Sequence, residues 1–241
     1  SSGNYWDDVD GGSGNDTLDH SATYYTGNTL NFDTGTGTGV AFGTDNTASL
    51  ASIEEYRDGS GDNTVYSDGY LTYYGNGGDD TYYERTSGGT DNVDMGADDD
   101  MLHIRNSGIG GDVWNGGAGI DTVDFSTLTY SMGTQIDLTA GAILSASGTS
   151  SEDLLNFENV IGSQGGDLIT GNLSANVIDG QGGNDTIDGV GAGNDIDGGD
   201  GDDLIYDSSS SSDTFEGGAG TDTLVSDNVW VDSNLFDMVL G

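Results

Sequence analysis

Aspartate and asparagine recur at every ninth residue in the C-terminal half of the chain. From Gly162 the sequence runs through five consecutive nonapeptides: GSQGGDLIT, GNLSANVID, GQGGNDTID, GVGAGNDID and GGDGDDLIY. Their sixth positions are Asp167, Asn176, Asp185, Asn194 and Asp203. Calcium prefers carboxylate, amide and carbonyl oxygens, and a glycine-rich turn exposes backbone carbonyls beside the acidic side chain. The spacing therefore predicts a series of oxygen-lined cation sites.

Further copies of the same nonapeptide lie outside this block. They are GGSGNDTLD at 11–19, GNGGDDTYY at 75–83, GGAGIDTVD at 116–124 and GGAGTDTLV at 217–225. Degenerate copies place Asp91, Asp100, Asp112 and Asp213 at the sixth position. The candidate metal ligands are Asp16, Asp80, Asp100, Asp112, Asp121, Asp167, Asp185, Asp203, Asp213 and Asp222.

The composition demands an explanation for a large negative charge. The 241 residues include 43 Asp and Glu but only 3 Lys and Arg, giving a formal net charge of −40. Such a chain repels phosphates, so nucleic acid is excluded as a partner. Three explanations fit the charge: an unfolded chain, an acidic surface adapted to high salt, or neutralisation by bound cations. An adapted surface would scatter its acids without register, whereas these acids hold one position of a repeat.

The elements that position the acids follow from the same repeat. The eighth position is apolar and strictly spaced, being filled by Ile169, Ile178, Ile187, Ile196 and Ile205. Three residues centred on each isoleucine form a short strand whose middle side chain points inward. The six preceding residues turn the chain, which glycine permits. Two nonapeptides close one coil, so turns recur on the same edge every 18 residues. Asp167, Asp185 and Asp203 share one edge, and Asn176 and Asn194 share the other.

The pattern G-G-x-G-x-D-x-U-x, with U apolar, resembles the RTX (repeats-in-toxin) nonapeptide. The resemblance implies an all-β fold, a parallel β-roll or β-helix solenoid with several Ca²⁺ ions in the turns. It also implies that each ion lies between two same-edge turns, held by sixth-position Asp and turn carbonyls. The best sites would then lie between the turns of Asp167 and Asp185, and of Asp185 and Asp203. Asn176, Asn194 and Ala192 depart from the pattern, so sites on their edge are expected to be weaker or empty.

Calcium-dependent folding is expected on independent grounds. One coil of the roll buries only two apolar side chains, too few to offset the conformational entropy lost on ordering 18 residues. A metal that binds only the folded chain adds its binding free energy to folding. The roll is therefore expected to be largely unfolded without calcium.

A longer duplication sets the expected domain organisation. Residues 11–66 and 116–170 share a series of matching segments, offset by 105 residues at the first motif and 104 at the last. We therefore expect a first unit at 1–115 with degenerate repeats and a second at 116–216 with core repeats at 162–206. A truncated third copy and a C-terminal segment would occupy 217–241. Residues 126–161 break the nonapeptide period, and we expect them to form longer strands that continue the stack.

Catalysis is not expected. The two histidines, His20 and His103, form no H-E-x-x-H motif, and the chain contains neither cysteine nor a G-x-S-x-G motif. A cluster of tyrosines in the first half predicts cross-strand packing, with contact to a cell-surface glycan or a subunit as the alternative. These tyrosines are Tyr70, Tyr73, Tyr74, Tyr82 and Tyr83. A polysaccharide-processing enzyme that uses Asp and Tyr on one sheet face is the least favoured hypothesis.

The favoured hypothesis is a bacterial extracellular calcium-binding structural protein that self-associates into a surface layer, fibre or adhesin matrix. The alternative is a non-catalytic folding and secretion module of a secreted hydrolase or polysaccharide epimerase. No apolar run is long enough to span a membrane. Asp237 followed by Met238, Val239 and Leu240 resembles the C-terminal end of type I secretion substrates, which also favours an exported protein.

Overall fold

Every regular element of the structure is a β-strand. The computed structural model describes residues 9–10, 15–19, 21, 28–32, 39–43, 46–51, 53–67, 70–85, 89–105, 111–128, 133–145, 151–208, 212–226 and 236–237. Within these residues there is no helix, and hence none that could cross a membrane. Parallel strands stack into a β-solenoid, which confirms the predicted all-β parallel architecture.

The chain divides into two compact units, Ser1–Asp121 and Thr122–Gly241. The strands of the first unit are β1 (Val9–Asp10), β2 (Thr17–Asp19), β3 (Asn28–Phe32), β4 (Gly39–Gly43), β5 (Asn46–Ala51), β6 (Glu55–Arg57), β7 (Asn63–Ser67), β8 (Thr72–Tyr74), β9 (Thr81–Glu84), β10 (Asn92–Ala97), β11 (Met101–Ile104) and β12 (Val113–Ala118). The strands of the second unit are β13 (Thr122–Asp124), β14 (Thr134–Asp137), β15 (Ala142–Ser145), β16 (Ser151–Leu155), β17 (Asn159–Ile161), β18 (Leu168–Thr170), β19 (Val177–Asp179), β20 (Thr186–Asp188), β21 (Asp195–Asp197), β22 (Leu204–Asp207), β23 (Thr214–Glu216), β24 (Thr223–Ser226) and β25 (Phe236–Asp237). The second unit thus includes the segment 217–241 that the sequence sets apart as a truncated third copy.

Consecutive short strands alternate between two sheets within each unit. In the first unit the strand orders are β1-β5-β4-β3-β7-β9-β11 and β2-β6-β8-β10-β12. In the second they are β13-β17-β19-β21-β23-β25 and β16-β15-β14-β18-β20-β22-β24. The core repeats obey the predicted coil of two nonapeptides, because β18, β20 and β22 pair in one sheet while β19, β21 and β23 pair in the other.

The predicted isoleucine ladder forms the core between the two sheets of the second unit. Ile169, Ile187 and Ile205 are directly opposite one another across parallel strands. Ile178 and Ile196 are likewise directly opposite each other in the other sheet. All five are at most 1% exposed. Each coil therefore contributes two buried branched side chains, as the repeat predicts.

The sequence duplication corresponds to a structural one. In each unit the parallel stack is interrupted by a three-stranded antiparallel segment, β3-β4-β5 in the first and β14-β15-β16 in the second. β3 and β14 then pair in parallel with β7 and β18. Residues 126–161 do form strands, but β15 runs antiparallel to both neighbours instead of extending the parallel stack. The connection from β14 to β15 spans only residues 138–141, and so short a link joins antiparallel strands, whereas a parallel pair needs a long crossover.

The second position of several nonapeptides adopts a left-handed backbone. Gly199 and Gly218 occupy it with φ of 93° and 85°. Gln181 and Val190 occupy the same position with φ of 69° and 59°. A β-branched side chain is strained in this region, whereas glycine adopts it freely. The preference for glycine at this position is therefore conformational.

We predict that Val190→Gly stabilises the calcium-loaded chain by about 0.5–1 kcal/mol, because relief of left-handed strain exceeds the entropic cost of an added glycine. Val177→Gly is the matched control, since Val177 lies exposed within β19. That substitution is expected to destabilise the chain. Urea unfolding in excess calcium measures both, and equal destabilisation by the two variants would contradict the strain at Val190.

Candidate metal centre: aspartate ladders in the turns

Sixth-position aspartates of the second unit are linked in series from one coil to the next. The backbone N–H of Asp167 donates to Oδ1 of Asp185 at 2.6 Å. The N–H of Asp185 donates to Oδ1 of Asp203 at 2.8 Å, and that of Asp203 donates to Oδ1 of Asp222 at 3.0 Å. We call these four residues the second-unit aspartate ladder. Neighbouring strands lie about 4.8 Å apart, so the ladder places one carboxylate per coil along a single edge.

The second oxygen of two ladder carboxylates has no hydrogen-bond partner. Oδ2 of Asp185 and Oδ2 of Asp203 are both buried and unpaired, and their residues are only 1% and 2% exposed. A buried acceptor left without a donor costs roughly 1–3 kcal/mol, and more when it is charged. These oxygens therefore require a cation or a proton.

Backbone carbonyls converge on the same points. A Cβ placed on Gly198, the first glycine of its turn, would lie 2.5 Å from Oδ2 of Asp203 and 2.7 Å from the carbonyl oxygen of Gly217. A Cβ placed on Gly180 would lie 2.5 Å from Oδ2 of Asp185 and against the carbonyl oxygen of Gly198. A carboxylate and a carbonyl of the following turn thus share a space that only glycine leaves open.

Hard, oxygen-binding cations fit these residues. Calcium takes six to eight oxygens in flexible geometry and accepts carbonyls readily, whereas magnesium demands a strict octahedron. Asp185 and Asp203 would supply carboxylate oxygens, and the first glycines of the adjoining turns would supply carbonyls. Across the residues that the structure describes, no three His, Cys, Asp or Glu side chains converge as a metal site. An ion bound here would therefore take most of its ligands from the backbone and from water.

The electrostatics of the ladders point the same way. Burial, reinforced by Asp167 and Asp203, raises the pKa of Asp185 to about 7. Burial likewise raises the pKa of Asp80 and of Asp100 to about 8, each with a contribution from neighbouring carboxylates. The pKa of Asp203 is also raised by burial, and Asp222 adds to the shift. Without metal, folding therefore favours the protonated form of these groups.

A corresponding first-unit aspartate ladder comprises Asp80, Asp100 and Asp121. The N–H of Asp80 donates to Oδ1 of Asp100 at 2.7 Å, and that of Asp100 donates to Oδ1 of Asp121 at 2.8 Å. The residues are 20 and 21 positions apart, against 18 in the core repeats. Oδ2 of Asp100 is buried and unpaired, like that of Asp185. Degenerate repeats thus keep the ladder but lengthen the coil.

Other predicted ligands lie in different settings. Asp112 accepts the N–H of Asp91 at 2.7 Å. Asp213 accepts the N–H groups of Gly193 and Asn194, both at 2.7 Å. Oδ2 of Asp16 is buried and unpaired, and the N–H of the same residue donates to Glu54 at 2.9 Å. The structure therefore brings the ten candidates together only in part: two ladders of successive turns, with Asp16, Asp112 and Asp213 outside them.

The asparagine edge of the core repeats is closed by its own amides. Oδ1 of Asn194 accepts the N–H of Asn176 at 2.9 Å, so the ladder bond persists. Nδ2 of Asn194 donates to the carbonyl of Gly191, and Nδ2 of Asn176 donates to that of Glu158, both at 2.7 Å. Each amide thus occupies a carbonyl that a cation could otherwise use. This geometry favours the expectation that the edge binds metal weakly or not at all.

Tyrosine hydroxyls in the turns are the feature that sequence reasoning missed. Tyr73 donates to Oδ2 of Asp80 at 2.9 Å, and Tyr82 donates to Oδ2 of Asp91 at 2.8 Å. Tyr82 occupies the inward eighth position of its nonapeptide, where the core repeats have isoleucine. An inward tyrosine carries a hydroxyl into the core, where it needs an acceptor. Tyrosine at the eighth position of the nonapeptide was therefore the sequence signal for a buried hydroxyl–carboxylate hydrogen bond.

Outward tyrosines pack against the few cations of the chain. Tyr66, Tyr83 and His103 stack across adjacent strands, with ring centroids 4.5 and 4.4 Å apart. Arg85 and Arg105 lie over Tyr66 and Tyr83, at 5.5 and 4.4 Å from the ring centroids. This arrangement favours cross-strand packing over the alternative of a glycan surface, which stays a prediction. Among the singled-out tyrosines, Tyr73 and Tyr82 belong to the core and Tyr70 is exposed.

His20 and residues 238–241 lie outside the described residues.

No protein-family model matches this chain, and no curated protein matches it. The resemblance to RTX repeats is thus carried by the residues of the repeat alone.

Raised carboxyl pKa values predict that acid stabilises the metal-free chain. Asp80, Asp100 and Asp185 titrate near 4 when unfolded but at about 7 to 8 when folded. The folded state therefore holds more protons across this window, and its stability is full below about pH 4 and falls as pH rises toward 8. In metal-free buffer, the folded fraction measured by circular dichroism should decrease from pH 5 to pH 8. Saturating calcium should flatten the dependence, and a folded fraction that rose with pH would contradict the assignment.

Proposed function

We propose that this chain is an extracellular calcium-binding structural protein whose β-roll is stabilised by ions in its turns. The observation that carries the proposal is the buried, unpaired Oδ2 of Asp100, Asp185 and Asp203. In the second unit, the carbonyl of the next turn lies beside this oxygen. A compact chain with a formal charge of −40 needs counterions. We propose that they bind at these unpaired carboxylate oxygens.

An environment rich in calcium suits these sites. Affinity for calcium rises with the number of charged ligands, and extracellular modules bind it at about 10⁻⁴–10⁻³ M. Each proposed site offers only one or two carboxylates and otherwise neutral carbonyls. Such sites would be filled outside a cell and emptied inside it, so export of an unfolded chain followed by folding on calcium is consistent with the geometry.

The repeated architecture supports a structural role. The described strands build the coils, and the sixth-position aspartates lie in turns of a repeated type. Exposed apolar side chains, among them Leu173 at 85% and Val177 at 54% exposure, lie on the surface of the second unit. We propose that such surface contributes to contacts between copies of the chain in a surface layer, fibre or adhesin matrix.

Asp185→Asn tests the proposed ligands. The substitution removes a charge and adds an amide that can donate to a turn carbonyl, as the amide of Asn194 does to Gly191. We expect the calcium concentration at the folding midpoint to rise by at least about tenfold. Asp195→Asn is the matched control, because the same charge is lost from an exposed strand position, and its midpoint should stay within about twofold.

Circular dichroism during calcium titration measures the folding midpoint, and equilibrium dialysis counts the ions. Magnesium at the same concentration should not replace calcium. Equal effects of the two variants would show that the charge of the chain, not the ladder site, governs calcium binding. Absence of calcium binding by the unmodified chain would overturn the proposed function.

Sedimentation velocity tests the assembly part of the proposal. Large ordered species are expected in excess calcium, and an expanded monomer in chelator, because the folded surface of the second unit would form only with the ion. A compact monomer in calcium would contradict self-association while leaving calcium binding intact. A sedimentation profile indifferent to calcium would contradict both.

A further inference from the structure

Two turns of the first unit differ in whether the second oxygen of a buried carboxylate has a hydrogen-bond donor. Asp80 and Asp100 belong to the same ladder, and both are 2% exposed. Each accepts a backbone N–H on Oδ1, from Asn63 at 2.9 Å and from Asp80 at 2.7 Å. They differ at Oδ2, which accepts the hydroxyl of Tyr73 in Asp80 but is unpaired in Asp100. The molecule thus contains a matched pair of turns that differ in one donor.

A tyrosine hydroxyl also binds the second carboxylate oxygen of a turn aspartate on the opposite edge. Oδ1 of Asp91 accepts the N–H of Leu71 at 2.7 Å, and Oδ2 accepts the hydroxyl of Tyr82 at 2.8 Å. Tyr56 adds a third case by donating to Asp58 at 2.9 Å. Burial raises the pKa of Tyr73 and of Tyr82 well above the usual value, so both hydroxyls keep the proton they donate. Three neighbouring acids are thereby satisfied without metal.

Larger apolar burial accompanies these hydrogen bonds. Tyr56, Tyr73 and Tyr82 are fully buried and pack in series: the first two rings are stacked with centroids 5.9 Å apart, and the last two are tilted with centroids 5.7 Å apart. An aromatic side chain buries more surface than isoleucine and gains further from ring contacts. The coils that contain β6–β9 therefore have a stronger core than the isoleucine coils of residues 162–206. The greater apolar burial offsets more of the conformational entropy lost on folding, which two isoleucines per coil are too few to offset.

We infer that tyrosine hydroxyls close the turns of Asp80 and Asp91 in place of calcium, so that β6–β9 form a segment of the roll that folds without the ion. The core repeats of the second unit, where Asp185 and Asp203 lack such a donor, depend on it. This inference rests on the proposed function, since a calcium-independent segment is distinguishable only in a chain that otherwise responds to calcium. It also assigns the predicted ligand Asp80 to a hydrogen-bonded turn.

Hydrogen–deuterium exchange of the full chain, resolved by peptide mass spectrometry, tests the inference. In calcium-free buffer, peptides within residues 55–85 should stay protected while those within 162–207 exchange rapidly. Calcium should then slow exchange in 162–207 and change 55–85 little. If both segments gain protection from calcium equally, the inference is overturned and calcium binding stands. If neither segment responds to calcium, the proposed function itself fails.

Tyr73→Phe supplies the second variant, because it keeps the ring and removes only the hydroxyl. In calcium-free buffer, exchange within 55–85 should become about tenfold faster or more, since Oδ2 of Asp80 then lacks a donor as Oδ2 of Asp185 does. Calcium should restore protection, because the vacated oxygen becomes available to the ion. Tyr74→Phe is the control, since Tyr74 lies on the outward side of the same strand with Arg57 over its ring. Equal effects of the two variants, or no rescue by calcium, would overturn the inference.

Discussion

A carboxylate that the turn buries without a partner for its second oxygen is the constraint on which this fold depends. The parallel stack places one such group per coil, about 4.8 Å from the next. Its first oxygen is used to bond the backbone of the preceding coil, as Asp185 does for Asp167. The hydrogen bond that aligns successive coils therefore also brings carboxylates of like charge close together. The roll cannot form these hydrogen bonds without this repulsion. Whatever satisfies the second oxygen decides whether a coil is stable.

The chain uses several partners for that oxygen, and local sequence selects among them. In the turn of Asp167 a serine stands at the second position of the nonapeptide, and the N–H of Ser163 donates to Oδ2 at 2.6 Å. In the first unit tyrosine hydroxyls reach Asp80 and Asp91 from inward strand positions. On the asparagine edge the side-chain amide supplies donors and removes the charge. Only where none of these is present, as at Asp185 and Asp203, does a buried oxygen stay open for a cation. Variation among the repeats is thus variation in how each turn is neutralised.

Much of the fold was predictable because it is set by short-range spacing. Ile169 to Ile205 fix the strand positions, and a nine-residue period with two turns per coil fixes which aspartates share an edge. The antiparallel pairing of β15 was not predictable from apolar alternation, which is the same for parallel and antiparallel strands. The coil spacing of 20 to 21 residues in the first unit escaped because degenerate turns there give no nonapeptide count. The partner of each Oδ2 depends on whether a nearby inward side chain carries a hydroxyl, as Tyr73 does for Asp80 seven residues later, and the nonapeptide pattern does not specify this.

A solenoid whose coils contact only their neighbours has stability that is a sum of coil terms and interface terms. Under the proposed function, an ion held by a carboxylate of one turn and a carbonyl of the next would contribute to the interface term, so loss of one ion would weaken two coils together. Response to calcium within residues 162–226 should then be cooperative even though each site is weak. Under the proposed function, coils that are closed by tyrosine would contribute their stability without calcium. A chain with both kinds of coil would then keep an ordered segment at low calcium and complete its fold at high calcium.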